Sequence, residues 1–238
     1  MYIHIYFIIF YLSAQTQFFP ILASPDIVRS TVLEGCIPDG FGQTSKAFAL
    51  EKSSDFGDIS SINGGYLVGS ASFQSMITNF VKNVLQNSNV LPLNYFSIGR
   101  QYWPIEENSP QNLYNTQQST CVSFLTLDFE GEDPSFVPLM DKIKEFYDTL
   151  DLHYRIVQIK SENLTLAESL RIEIQMWSPL NNDYICVGSL SKYGEFVSKR
   201  LNLKYYDSEK QMKNYSVMHG TIIDTFKVLG CIIENKAI

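Results

Sequence analysis

Histidine and cysteine are scarce in this chain: three histidines and four cysteines among 238 residues. Cys36, Cys121, Cys186 and Cys231 lie far apart, with no Cys-x-x-Cys and no histidine at metal-ligand spacing. Neither a zinc site nor a disulfide framework is indicated, and a reducing compartment fits best. No apolar run is long enough to span a bilayer. The start, MYIHIYFIIFYL, is apolar and aromatic but short, and it lacks the basic residues that open a signal peptide and the arginines of a transit peptide. Residues 1–18 are read as an apolar segment, either a buried strand or an artefact of the gene model, and no membrane partner is expected.

Positive charge is also short. A formal charge of -7 excludes a protein that coats nucleic acid indiscriminately, because phosphate binding needs clustered Lys and Arg. One local patch runs the other way. From Lys192 to Lys213 there are six basic residues (Lys192, Lys199, Arg200, Lys204, Lys210, Lys213) against three acids. From Gln101 to Asp141 there is no Lys or Arg, while Glu106, Glu107, Asp128, Glu130, Glu132, Asp133 and Asp141 supply seven negative charges. Like charges about 4 Å apart repel by roughly 1 to 4 kcal/mol. A few such encounters cancel a micromolar affinity of roughly 8 kcal/mol, so this stretch is expected not to hold a triphosphate.

What is present is a pattern of strands and amphipathic helices with no linker that would divide the chain. In DPSFVPLMDKIKEFYDTLD, the spacing of Phe136, Leu139, Met140, Ile143, Phe146, Tyr147 and Leu150 predicts an amphipathic helix. In LRIEIQMW, the alternation of Leu170, Ile172, Ile174 and Met176 with Arg171, Glu173 and Gln175 predicts a half-buried strand. Further strands are expected at His153 to Ile159, Tyr184 to Val187 and Leu201 to Tyr206, and a helix at Ser72 to Asn87. Alternation through Tyr215, Val217, His219 and Thr221 predicts a last strand, with Asp224 the N-cap of a helix running to Asn235 and Lys227 in its first turn. Short turns between strands, with helices inserted singly, predict an α+β fold whose antiparallel sheet is backed by helices.

LPLNYFSIGRQYW, DLHYRIVQIKSENLTLAESLRIEIQMWSP, SLSKYGEFVSKRLNLKYYD and HGTIIDTFKVLGCIIEN, in that order, resemble the class II seryl-tRNA synthetases. SPDIVRSTVLEGC and YLVGSASFQSMI extend the resemblance upstream, so that it covers residues 19–238. It implies the class II catalytic core, an antiparallel sheet flanked by helices, without the N-terminal helical arm that embraces tRNA. It also implies where ATP and serine would be held, and there the residues have changed. The carboxylate that holds the substrate ammonium corresponds to Ser72. The arginine that grips the α-phosphate and the acid two residues on correspond to Trp103 and Ile105. A magnesium-holding acid corresponds to Cys186, the asparagine of the serine pocket to Lys192, the Gly-rich GDLG to ENLT (Glu162 to Thr165), and the arginine of the third motif to Lys227.

The resemblance therefore implies a degenerate, synthetase-like member of the family, of the kind found in insect mitochondria. Such a protein has no catalytic residue and no ATP or magnesium cofactor. It pairs with the mitochondrial seryl-tRNA synthetase and contacts RNA, with Lys199, Arg200 and Lys204 as the expected contacts and Tyr193, Phe196, Tyr205 and Tyr206 as stacking surfaces. The competing reading is an active serine-tRNA ligase using ATP and magnesium, which would need an arginine from elsewhere to replace Trp103. An accessory subunit of another mitochondrial machine built on a class II fold, such as the polymerase processivity factor, is a third reading, against which SKYGEFVSKRLNLKYYD argues. His153 is expected to be structural and His219 a satisfied buried histidine.

Overall fold

The structure is a computed structural model and describes residues 20–37, 47–50, 65–105, 114–129 and 134–236. Residues 1–18 lie outside it, as do Glu106, Glu107, Glu130, Glu132 and Asp133 of the acidic stretch. None of the helices among the described residues is long and apolar enough to cross a membrane.

Strand β1 (Ile27–Arg29) leads into helix α1 (Ser30–Cys36), and β1, β2 (Phe48–Ala49) and β3 (Gly65–Leu67) form a small sheet. A turn then carries Ser72 into α2 (Phe73–Thr78), where the Ser72 hydroxyl accepts from Ser75 N at 3.2 Å and caps the helix. The expected helix from Ser72 to Asn87 stops at Thr78. Lys82 takes a left-handed φ of 58°, and Val84–Leu85 leave as strand β4. Phe80, Val81 and Leu85 still pack on the core, so their helical spacing records burial rather than a helix.

Two long strands follow, β5 (Leu93–Tyr102) and β6 (Gln118–Asp128), paired along their length from Leu93↔Leu127 to Tyr102↔Gln118. Helix α3 (Phe136–Asp148) buries Leu139, Ile143, Phe146 and Tyr147, as its spacing predicts. Then come β7 (Tyr154–Gln158), β8 (Leu170–Ser178) and β9 (Asp183–Gly194). Strand β9 runs well beyond the expected Tyr184 to Val187, because Gly188, where a Cβ would lie 2.6 Å from Ile222 O, lets the neighbouring strand approach. Leu201 ends helix α4 (Phe196–Leu201) instead of starting a strand. Asn202, at φ 56°, turns the chain into β10 (Lys204–Tyr206), which pairs with β11 (Met212–Asn214) and β4. Strand β12 (Ser216–Asp224) and helix α5 (Thr225–Lys236) close the chain.

The main sheet has the order β5-β6-β12-β9-β8-β7, and every pairing in it is antiparallel. Side chains alternate between its faces. On one face Phe124, Ile174, Met176 and Met218 pack against α3 and against Val228 and Cys231 of α5. On the other, Leu125, Leu127 and Val217 pack under Val32 and Leu33 of α1, Met76 and Ile77 of α2, and Val197 and Leu201 of α4. The three helices cover only one end of that face, and on the remainder polar residues of the sheet are brought together.

Candidate functional site

Where the helices end, the floor of the sheet turns polar. Gln101 Nε2 of β5 lies within hydrogen-bonding distance of Ala71 O (2.7 Å), Ser123 Oγ of β6 (2.9 Å) and Thr221 Oγ1 of β12 (3.0 Å), and so ties three strands to the turn before α2. Above it is a cavity of about 330 Å³, lined among others by Cys36, Ser72, Phe73, Gln101, Trp103, Thr165, Glu168, Arg171, Tyr193 and His219.

Ser72 and Trp103 thus reach one cavity, although thirty-one positions separate them in the chain. Ser72 donates to Gly69 O at 2.7 Å while capping α2, so its hydroxyl is occupied and carries no charge to hold an ammonium. Lys227 lies beside Trp103, its Nζ 5.9 Å from the ring centre. It stands in the first turn of α5 as expected, its N–H donating to Asp224 Oδ1 at 3.3 Å. Its ammonium is 3.7 Å from Asp224 Oδ2, so a carboxylate of this chain supplies the anion that a cation at a helix N-terminus otherwise lacks. Asp224 is buried and also accepts from Ser119 Oγ at 2.5 Å. Cys186 belongs to the same corner. Burial pushes its thiol up to about 11, with Glu173 adding to the shift and Lys227 opposing it.

The other two substituted positions do not join them. Ile105 is not among the cavity's lining residues. Lys192 faces the opposite side of the sheet: on β9 it pairs with Met218, whose side chain packs toward α3, and its ammonium sits 3.9 Å from the centre of the Phe136 ring. Of the expected ENLT segment, Thr165 lines the cavity, whereas Glu162 is exposed beside Lys160.

The sequence reading missed two residues. Arg171 brings a guanidinium to the cavity, the arginine that the competing reading demanded, but Glu168 holds it through Nε at 3.0 Å and through Nη2. Burial opposes ionisation of Glu168, yet the hydrogen bonds from Arg171, Ser191 and Thr165 outweigh it and keep the carboxyl below its ordinary range. A signal was present in ESLR, a Glu and an Arg three apart at the entrance of a half-buried strand.

His219 is buried as expected but is not satisfied. Its Nε2 has no hydrogen-bond partner in the structure, and its ring lies 4.9 Å from that of Phe73. His153 is exposed, its Nε2 2.6 Å from Tyr184 Oη. Of the acidic stretch, Asp128 is buried at the far end of β6 and Asp141 is exposed on α3, and neither lines the cavity. Nor are all the expected stacking rings free. Tyr193 stacks on Phe73 at 4.5 Å and Tyr205 is buried in the core, which leaves Phe196 and Tyr206 half-buried.

Comparison with known proteins agrees with this geometry. Residues 60–236 match the tRNA synthetase class II core domain (G, H, P, S and T). The serine-tRNA synthetase-like protein Slimp of Drosophila melanogaster is 34% identical over 182 residues, covering 73% of this chain and 38% of the relative. The serine-tRNA ligase of Clostridium tetani is 25% identical over 166 residues, covering 67% and 38%. This chain therefore spans about four tenths of the length of those relatives. Seryl-tRNA synthetase from Pyrococcus horikoshii, solved in complex with ATP, superposes with a TM-score of 0.79 at 20% identity, over 96% of this chain and 50% of that one. The chain belongs to the class II tRNA synthetase core family and, within it, to the seryl-tRNA synthetase-like proteins.

Proposed function

We propose that this chain is a non-catalytic seryl-tRNA synthetase-like protein of mitochondria, acting through pairing with the mitochondrial seryl-tRNA synthetase and through contact with RNA, without ATP or magnesium. The observation that carries the reading is the state of the cations at the cavity and beside its Trp103 wall. Arg171 is held by Glu168, Lys227 by Asp224, and Trp103 stands where the resemblance places the α-phosphate arginine. An arginine presents a fork of donors to a phosphate, whereas an indole offers a single N–H. The mitochondrial setting and the partner follow from the resemblance in sequence.

Serine-dependent ATP–pyrophosphate exchange by the purified chain, once cooperative unfolding is confirmed, is expected to stay at background. A tagged chain recovered from isolated mitochondria is expected to bring the mitochondrial seryl-tRNA synthetase with it. Exchange above background would establish the competing reading, an active serine-tRNA ligase with ATP and magnesium as cofactors; recovery without the synthetase would remove the pairing.

Lys199, Arg200 and Lys204 carry the RNA contact in this reading, and the fold adds Lys82 to them. Lys82 N donates to Leu201 O and Lys204 N to Asn83 O, both at 3.3 Å, where β4 runs parallel to β10. Lys199 is offset by Glu195 at 2.6 Å. Reversing the charge of Lys199, Arg200 and Lys204 together should lower RNA affinity at least about tenfold in 0.1 M salt and reduce the slope of log affinity against log salt by roughly 2 to 3. Binding that does not change would dismiss this surface.

A further inference from the structure

One wall of the cavity is the loop that runs from Thr165 to Ser169 into β8. Apolar burial anchors it only at Ala167, which is 4% exposed; its neighbour Leu166 is 77% exposed. A polar node does the rest. Glu168 accepts from Arg171 Nε at 3.0 Å and from Arg171 Nη2, from Ser191 Oγ at 2.6 Å, and from Thr165 N and Oγ1 at 3.0 and 2.9 Å. These donors come from the loop, from β8 and from β9, and they converge on a side chain that is 5% exposed.

We propose that Glu168 and Arg171 form an internal latch, an ion pair that holds the cavity wall in place without any ligand by making each of the two charged groups the partner of the other. A charged ligand entering the cavity would first have to separate them, leaving each in a half-buried site without its counter-charge, which is the costly way to break such a pair. The latch therefore supplies from within the chain the order that a ligand supplies in a binding protein.

Cys36 is a reporter for it. It lines the same cavity, is a free thiol 4% exposed, and burial pushes its pKa up, so it is alkylated only when the wall around it moves. Cys121 and Cys231 are also free and buried but do not line the cavity. The test is iodoacetamide alkylation of the full chain at pH 8, resolved for each cysteine by peptide mass spectrometry. Glu168→Gln is expected to speed labelling of Cys36 about tenfold or more, a change of about 1.4 kcal/mol in the opening equilibrium, and Ser191→Ala about threefold, with Cys121 and Cys231 unchanged in both. An unchanged Cys36 in folded Glu168→Gln would overturn the latch, as would parallel acceleration of all three thiols, which marks general destabilisation. Should Glu168→Gln fail to fold, Ser191→Ala decides by the same pattern.

Discussion

Lowering the pH from 7 to 5 is expected to destabilise the folded chain by about 2 kcal/mol through His219 alone. The imidazole sits on β12 among aromatic rings, 8% exposed, and burial lowers its pKa to about 3. In the unfolded chain it titrates near 6.5. Between those values the unfolded chain binds a proton that the folded one excludes, so stability rises with pH across the window. The neutral burial contributes fully above about 6.5 and is lost progressively as the pH falls toward 3. At about 1.36 kcal/mol per unit, the step from 6.5 to 5 gives the figure above. Urea titrations at pH 7, 6 and 5 check it, with His219→Phe as the comparison, because the phenyl ring keeps the aromatic packing and cannot titrate. The variant should be nearly flat across this range. Equal slopes for both proteins would mean that His219 is not the source. Glu168 does not confuse the assay: its carboxyl is held below its ordinary range, so its contribution is lost only at lower pH.

The second large effect is expected at Gly69. Its φ of +89° is strained for any residue with a side chain, and a Cβ there would lie 2.1 Å from Arg100 O and 2.9 Å from Gln101 Cα. Both neighbours are backbone of β5 and cannot turn aside. The left-handed conformation costs roughly 1 to 3 kcal/mol and the overpacking roughly 1 to 3 more, against a total stability of about 5 to 15 kcal/mol for a native domain. Gly69→Ala should therefore lose a large share of the stability and loosen the turn that carries Ser72. Gly194 separates the two terms. It also has a positive φ, of +51°, but a Cβ there meets nothing within 4 Å. Gly194→Ala should show the conformational cost alone, and the difference between the variants in chemical denaturation measures the clash with β5. Equal losses would mean that β5 gives way.

The contrast between what was legible and what was not has a physical pattern. The end of the chain could be read because its signals are local: alternation to Thr221, a capping carboxylate at Asp224 and a lysine three residues later. Helix α3 could be read because its stripe is long and periodic. The segment from Ser72 to Asn87 misled because Phe80, Val81 and Leu85 meet the core from a turn and a short strand, and spacing alone does not distinguish that from a helix. At the site, the resemblance supplied which residues stand at the family's ligand positions, but not where they point. Parity on β9 sends Lys192 to the far face, while Ser191, its neighbour, reaches Glu168. The Glu168–Arg171 pair escaped notice because Arg171 was read by its place on a polar strand face, and its partner lies in the loop before that strand.

The place of β12 in the sheet bears on how the protein is made. It is the last of the six strands of that sheet in chain order, yet among the described residues it lies between β6 and β9 and joins them. On the ribosome, the β5-β6 hairpin and the β7-β8-β9 meander can each pair before β12 emerges, but each then waits with one bare edge of unpaired backbone groups. Such edges are templates for joining other chains. A fragment ending before Ser216 would keep both edges permanently, so only a chain translated through β12 can close the sheet and stay clear of its neighbours.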